Sequence, residues 1–389
     1  MQNKKGNIVN RIALVLSATI SAMPISAHAE LKVGVTISAS GPAASLGIPE
    51  RNAIALAPKE MNGETVSYIV LDDASDPTVA RRNIERLVTQ DGVDIVIGSS
   101  TSPASLAMTE VAGRTKTPMI SLGASRAIIF PQNENTKWAF KTPFNDATQA
   151  AATVKDMIAR GYKTVATFAF NDAYGEGWVQ EFKPVAEAAG LKIVAQEKFN
   201  PKDTSVTAQA LKIAAAQPDA VLVVASGTPG ALPQIALAQR GYSGQVYQTT
   251  GVVNADFIKI GGKAVEGVLI AGNPISVALQ LPDGHPAQAE ASKFAQAYNE
   301  RFGGGSVSAF AGYAQDALLL LHAALPKAME VGDPGTPEFR AALRDAIENS
   351  DSVKTTSGPV TMSAGDHNGY SSDAPIIIRV VDGNFTVAR

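Results

Sequence analysis

The side chains best suited to chemistry in this sequence are hydroxyls. Ser99-Ser100-Thr101-Ser102-Pro103 follows an apolar run at 95–98. Ser102 reads as a helix N-cap and Pro103 as a first-turn proline. Four hydroxyls beside the free amides of a helix start suit a carboxylate or a phosphate. They equally suit a well-capped helix with spare serines. Gly123 and Ser125 follow a second apolar run at 119–121. Gly123 permits close backbone approach and Ser125 adds a hydroxyl, although an ordinary tight loop has the same composition. Tyr174, at the head of Tyr174-Gly-Glu-Gly177, offers a stacking surface, or packs on its own helix with its hydroxyl in water. Ser226-Gly227-Thr228-Pro229 and Thr249-Thr250-Gly251 are again small and polar. Together these segments can face one another across a cleft and hold a small solute through hydroxyls and backbone amides.

Signals of catalysis are weak. His28, His285, His322 and His367 are far apart in sequence, and no metalloprotease helix, phosphate-loop lysine motif, dinucleotide fingerprint or nucleophile elbow occurs. Asp72, Asp73 and Asp76 have metal-ligand chemistry, but read better as solvated strand-end and turn acids. The chain has no cysteine, which excludes disulfides, thiol catalysis, iron–sulfur clusters and cysteine-bound zinc. No cofactor, metal or enzymatic activity is expected. A hydrolase using Ser100 or Ser125 is a competing class that lacks a positioned histidine.

The elements that must hold these segments alternate. Strands are predicted at 31–37, 66–71, 94–98 and 119–121, with helices at 49–61, from Pro77 onward, and at 103–114. The pattern repeats with a helix at 146–160 and strands at 164–170, 191–199, 220–225, 246–248 and 267–271. Helices at 204–216, 287–302, 308–329 and 337–349 and a hairpin at 375–388 about Asp382-Gly383 complete it. Apolar strands alternating with amphipathic helices indicate parallel sheets covered on both faces. In such sheets ligands bind outside the carboxyl ends of the strands, which is where every hydroxyl cluster above falls.

At 389 residues the chain is long enough for two domains, and 45% hydrophobic with 18% charged residues is globular composition. A net charge of −3 lacks the basic surplus of a nucleic-acid binder. Residues 1–29 read as a signal peptide. Lys4, Lys5 and Arg11 precede an apolar run at 12–22, and Ala27-His28-Ala29 fits the cleavage pattern. That run is too short to span a bilayer, and no other segment is apolar enough to do so. Removal of residues 1–29 takes three cations and no acid, shifting −3 to −6.

On this background an ordered set of short matches stands out. They are Lys32-Val-Gly-Val35, Ser40-Gly-Pro42, Leu71-Asp-Asp73 with Asp76-Pro77, and Asp94-Ile-Val-Ile-Gly98. Ser99–Pro103 with Ala104-Ser105, Pro118-Met-Ile-Ser121, Tyr174-Gly-Glu-Gly177, Gly358-Pro-Val-Thr361 and Gly369-Tyr370 follow. Through them the chain resembles the leucine/isoleucine/valine-binding family, periplasmic solute-binding proteins of ABC importers. The resemblance implies the α/β type I periplasmic binding protein fold, two doubly wound lobes joined by a three-stranded hinge. Lobe one would comprise 30–145 and 276–370, and lobe two 146–275 and 371–389. It also implies a periplasmic monomer that is not membrane-inserted and hands its solute to a membrane permease.

Family ligand positions carry over residue by residue. The hydroxyl gripping the ligand carboxylate falls at Ser99 or Ser100. The backbone contact falls at Gly123 and the next hydroxyl at Ser125. The covering tyrosine matches Tyr174, and a polar residue near the crossing matches Asp146. Three positions depart from amino-acid binders: Leu46 stands for one tyrosine, Gly227 or Thr228 for another, and uncharged Thr250 for the acid that holds the ammonium. Ser75 stands at the disulfide position of some members. An ammonium buried without a carboxylate is disfavoured. The expected ligand is therefore a small carboxylate with an apolar body, an aromatic or aliphatic organic acid. A branched-chain or other hydrophobic amino acid is the alternative, with Asp146 or Asp172 taking the ammonium. A sensory module of the same fold is the alternative from another class.

Overall fold

The computed structural model describes residues 30–388. The signal peptide read at 1–29 lies outside them. Two sheets carry the fold. The first runs in the order Glu60–Met61, Glu64–Asp72, Leu31–Ile37, Ile95–Gly98, Met119–Ser121 and Ala139–Lys141. The second runs Asn384–Val387, Ile376–Val381, Leu269–Gly272, Gln245–Gln248, Ala220–Val224, Thr164–Phe170 and Lys192–Phe199. Five neighbouring strands in each are parallel. They are short and rich in Val, Ile and Ala, and the central ones are buried throughout. That is the composition of a strand covered on both faces.

Among their parallel strands both sheets share one order. The first strand in sequence lies between the second and the third. This leaves a crevice at the carboxyl ends, where the winding direction reverses. In the first sheet the reversal falls between Leu31–Ile37 and Ile95–Gly98, and in the second between Thr164–Phe170 and Ala220–Val224. The loops leaving Ile95–Gly98, Thr164–Phe170 and Ala220–Val224 carry the Ser99, Tyr174 and Ser226 segments read from the sequence, and those of Gly123 and Thr249 leave the neighbouring strands Met119–Ser121 and Gln245–Gln248.

The expected closing hairpin forms with Asp382 and Gly383 at φ 49° and 69°. It adds antiparallel to Leu269–Gly272 and so closes that edge of the second sheet. The helices Gln288–Phe302 and Ala309–Met329 return to the first sheet's side. Tyr298 Oη accepts from Asn52 at 3.3 Å, and Thr142 donates to the Tyr313 carbonyl at 3.0 Å.

Three segments join the two sides, and buried side-chain amides tie them. Asn368 Nδ2 donates to the carbonyls of Lys141 at 3.1 Å and Pro143 at 2.8 Å, while its Oδ1 accepts the Asn145 amide at 3.1 Å. Asn273 Nδ2 donates to Ser357 Oγ at 2.7 Å, and Ser357 in turn donates to Asp316. His367 is buried, stacks on Phe140 at 4.3 Å and bridges the Ala139 carbonyl to Glu348.

Some local expectations are corrected. The helix read at 49–61 spans Ala44–Ala55 with Pro49 inside it. Asn62 and Gly63, both at positive φ, turn Glu60–Met61 into a strand paired with Glu64–Thr65. An Asn-Gly turn favours a hairpin over helix continuation. The helix after the serine cluster spans Ser102–Thr115, so that Thr101 and not Ser102 is its N-cap residue. The strand Ala139–Lys141 and the hairpin Val353–Thr355/Gly358–Val360 have no counterpart in the sequence reading, being too short to show a period.

Candidate functional site

A cavity of about 230 Å³ opens between the carboxyl ends of the two sheets. Its first-sheet wall carries Leu46, Ser100, Thr101, Ser102 and Leu122. Its second-sheet wall carries Phe170, Asp172, Tyr174, Ser226 and Thr250. Phe310 and Tyr313, from the start of the helix Ala309–Met329, add aromatic surface. Most of the enclosure is therefore apolar, with polarity concentrated at the strand ends.

One end of the cavity is built to receive negative charge. The helix Ser102–Thr115 starts there, and Thr101 makes no side-chain cap hydrogen bond. The first amides of a helix have no intrahelical acceptor, and the dipole adds partial positive charge. Ser100 lines the cavity beside them, its Oγ accepting the Ser38 amide at 2.9 Å and touching Glu50. Ser99 turns away, donating to Asp73 Oδ2 at 2.6 Å. Asp73 also takes the Ser38 hydroxyl at 2.7 Å and is fully buried, not the solvated acid read from the sequence.

The remaining candidates divide between lining and support. Leu46, Tyr174 and Thr250 line the cavity. Tyr174 is buried, not an exposed stacking face, and its hydroxyl is bonded to Thr249 Oγ1 at 2.7 Å. Thr250 gives its hydroxyl to Gln149 at 2.9 Å. Gly123 packs behind the wall, where a Cβ would lie 2.9 Å from Ser105 Oγ and from the Thr101 carbonyl carbon. Ser125 is buried, its amide bonded to Ser102 Oγ at 3.0 Å and its own hydroxyl capping Ala127. Thr228 begins the short turn Thr228–Gly230 off the lining. Gly227 sits where the two walls touch. A Cβ there would lie 3.0 Å from Ser45 Oγ and 3.1 Å from Leu46 Cδ1. Elsewhere between the two sides, Arg126 and Glu181 form an ion pair at 3.3 Å.

Asp146 lies off the lining, fully buried, with neither carboxylate oxygen hydrogen-bonded. Burial pushes its pKa up to about 7, against the pull of the Lys141 charge. Lys141 is also fully buried and donates to the Pro143 carbonyl at 2.9 Å, and burial brings its pKa down to about 8. The carboxylate that does line the cavity is Asp172. One of its oxygens caps the helix Ala173–Ala188 by accepting the Tyr174 and Gly175 amides, and burial raises its pKa. Leu122, Phe170 and Lys202 line the cavity without having been singled out in the sequence, and Phe310, Tyr313 and Glu50 were missed as well. Phe310 and Tyr313 stand on a helix far along the chain, and Glu50 follows a proline with no motif to mark it. Among the described residues no cluster of His, Asp or Glu could hold a metal, and no helix is long and apolar enough to cross a membrane.

Two doubly wound sheets, three connecting segments and a cavity between facing switch points define a type I periplasmic binding protein. The chain belongs to the leucine/isoleucine/valine-binding family of these proteins, the family model described as "Periplasmic binding protein" matching residues 30–382. It is a family of solute-binding proteins. The chain is 41% identical to an extracellular ligand-binding receptor from Rhodopseudomonas palustris HaA2, covering 93% of this chain and 100% of that one at a TM-score of 0.89. It is 25% identical over 358 residues to the Leu/Ile/Val-binding protein BraC3 of Rhizobium johnstonii, covering 90% of this chain and 92% of that protein. A solute-binding protein of an ABC transporter from R. palustris, solved in complex with benzoate, shares the fold. It is 24% identical, covers 92% of this chain and 95% of that one, and has a TM-score of 0.78.

Proposed function

We propose that this protein is the exported receptor of an ABC importer and captures a small organic acid with an apolar body. Residues 1–29 direct it to the periplasm, and a membrane permease takes the solute from it. The lobes are 30–145 with 276–370, and 146–275 with 371–389, a division supported by the sheet to which each strand belongs. Neither catalysis nor a cofactor enters this reading.

One observation carries the ligand class. The polar end of the cavity presents an uncapped helix start and Ser100, while Leu46, Leu122, Phe170 and Phe310 supply an apolar body. A carboxylate at the helix start and a hydrocarbon or aromatic group against the walls satisfy both. The test is a thermal-shift screen of the purified protein with benzoates, cinnamates, phenylpyruvates and short aliphatic acids beside branched-chain and aromatic amino acids. A ligand at about 100 times its Kd adds about 2.7 kcal/mol and raises the melting point by degrees. Shifts with acids that lack an amine are the expected result, and shifts confined to amino acids would reverse the ligand class.

A second reading, a hydrophobic amino acid, draws on Asp172, whose carboxylate lines the cavity and can meet an ammonium. Asp172→Ser separates the two. Serine keeps an oxygen for the Tyr174 and Gly175 amides, so stability should stay within about 1 kcal/mol of wild type. By calorimetry, affinity for an amine-free acid should hold or improve. Loss of about tenfold or more in affinity for an amino acid, about 1.4 kcal/mol, would point to an ammonium against Asp172.

A further inference from the structure

Glu50 lies in the helix Ala44–Ala55, immediately behind Ser100, and is fully buried. One carboxyl oxygen touches Ser100 Oγ and the other has no hydrogen-bond partner. Among the described residues no lysine, arginine or histidine forms an ion pair with it. The titratable groups facing it are Asp73, at the end of the strand Glu64–Asp72, and Tyr313, on the helix Ala309–Met329. An ionised carboxylate with one bare oxygen, a second acid beside it and no cation is costly to bury. Burial, and next to it the Asp73 charge, hold the Glu50 pKa well above the usual carboxyl range against the Ser100 hydrogen bond.

The proton on Glu50 decides what Ser100 shows the cavity. A serine hydroxyl has one hydrogen and two lone pairs. The Ser38 amide occupies one lone pair at 2.9 Å. When Glu50 is neutral, its O–H takes the other, and the Ser100 hydrogen is free to turn into the cavity. When Glu50 is ionised, Ser100 gives that hydrogen to Glu50, and the cavity meets only a lone pair.

We propose that neutral Glu50 sets Ser100 as a hydrogen-bond donor, so that this end of the cavity accepts a carboxylate anion while Glu50 is protonated and rejects it once Glu50 ionises. The inference rests on the reading of Ser100 as the carboxylate contact. Glu50 is then a positioning residue that acts through Ser100 without touching the solute. An anion held beside Glu50 favours its protonated form, so binding takes up a proton at any pH above the Glu50 midpoint. Affinity for a carboxylate should fall about tenfold per pH unit there.

The experiment combines two readouts on the purified protein. The Glu50 carboxyl carbon signal, assigned by its loss in Glu50→Gln, should keep its protonated position at neutral pH. Calorimetric affinities for benzoate and butanoate, measured from weakly acidic to alkaline pH, should decline with pH in wild type. They should be flat in Glu50→Gln, whose amide N–H supplies the same donor to Ser100 at every pH. Ser100→Ala should lose both the affinity and the slope, and it carries the test should Glu50→Gln not fold. An ionised Glu50 signal at neutral pH, or the wild-type slope persisting in Glu50→Gln, overturns the proposal. Failure of both acids to bind at any pH overturns the ligand class, and with it the donor role of Ser100. The carbon signal tells that outcome apart from a failure at Glu50.

Discussion

Gly227→Val is expected to weaken solute binding by at least about 100-fold, about 2.7 kcal/mol. Gly227 has φ 64° and ψ −160°, a region open essentially to glycine alone. It sits where the second-sheet wall meets Ser45 and Leu46 of the first, and a Cβ would also come within 3.3 Å of the Pro42 carbonyl oxygen. The branched side chain therefore acts twice. Local backbone strain should lower the stability of the ligand-free protein by about 1–3 kcal/mol. The added methyl groups should wedge the walls apart, so that the solute cannot touch both at once. Titration calorimetry reads the affinity and urea unfolding reads the stability. Gly227→Ala, which carries the backbone strain with little of the wedge, separates the two effects. Binding of wild-type strength in the valine variant would mean that the contact at Leu46 is incidental to capture.

Lys141→Met should destabilise the fold most, by up to about 3–5 kcal/mol, between about pH 7 and 8, where the wild type pairs two buried charges, and by much less in mild acid or in stronger base. Asp146 holds its proton up to about pH 7, whereas an unfolded aspartate releases it near pH ~4. The stabilisation from that raised pKa is complete below about pH 4 and is lost as pH rises through about 7. Lys141 has the opposite sign. Its lowered pKa stabilises the fold above the unfolded lysine value and is lost as pH falls through about 8. The pair thus costs the wild type most between these two values, where both groups are charged and buried. Methionine fills the volume of the lysine stem but leaves Asp146 without its cation. In acid Asp146 is neutral and little is lost. Between about pH 7 and 8 the folded variant must either hold an unpaired buried carboxylate or take up a proton, whereas above about pH 8 Lys141 of the wild type is itself neutral and offers no charge to lose. Unfolding free energies should diverge from wild type as pH rises through about 7 and converge again above about 8, where Lys141 loses its charge. Adding Asp146→Asn should remove the divergence, and a penalty that is constant with pH would rule out the coupling.

Both residues show where the sequence stops being informative. Lys141 stands in a three-residue strand with no readable period, and Asp146 opens a helix that its sequence describes well. That both are fully buried and act on one another follows only from the way the crossing segments pack under Asn368. The departures at Leu46 and Thr250 were legible as residue types, and both line the cavity. The carboxylate of Asp172 was legible as a possible partner for an ammonium. Its presence on the wall, in place of Asp146, depends on the cap geometry of Ala173–Ala188.

The sequence alone determined the class of fold and the general place of the site. Apolar runs of strand length alternate with amphipathic helices, and this pattern is local, so it can be read one segment at a time. The hydroxyl- and glycine-rich segments fall at strand ends for the same reason. Only the tertiary structure decided which hydroxyls face a solute. Ser99 and Ser100 are neighbours of one residue type, yet Ser99 serves Asp73, 26 positions away, and Ser100 serves Glu50, 50 positions away. Hydrogen-bond partners at such separations are set by the order in which the strands assemble. Whether a carboxyl is buried, and therefore whether it keeps its proton, is set by everything packed around it.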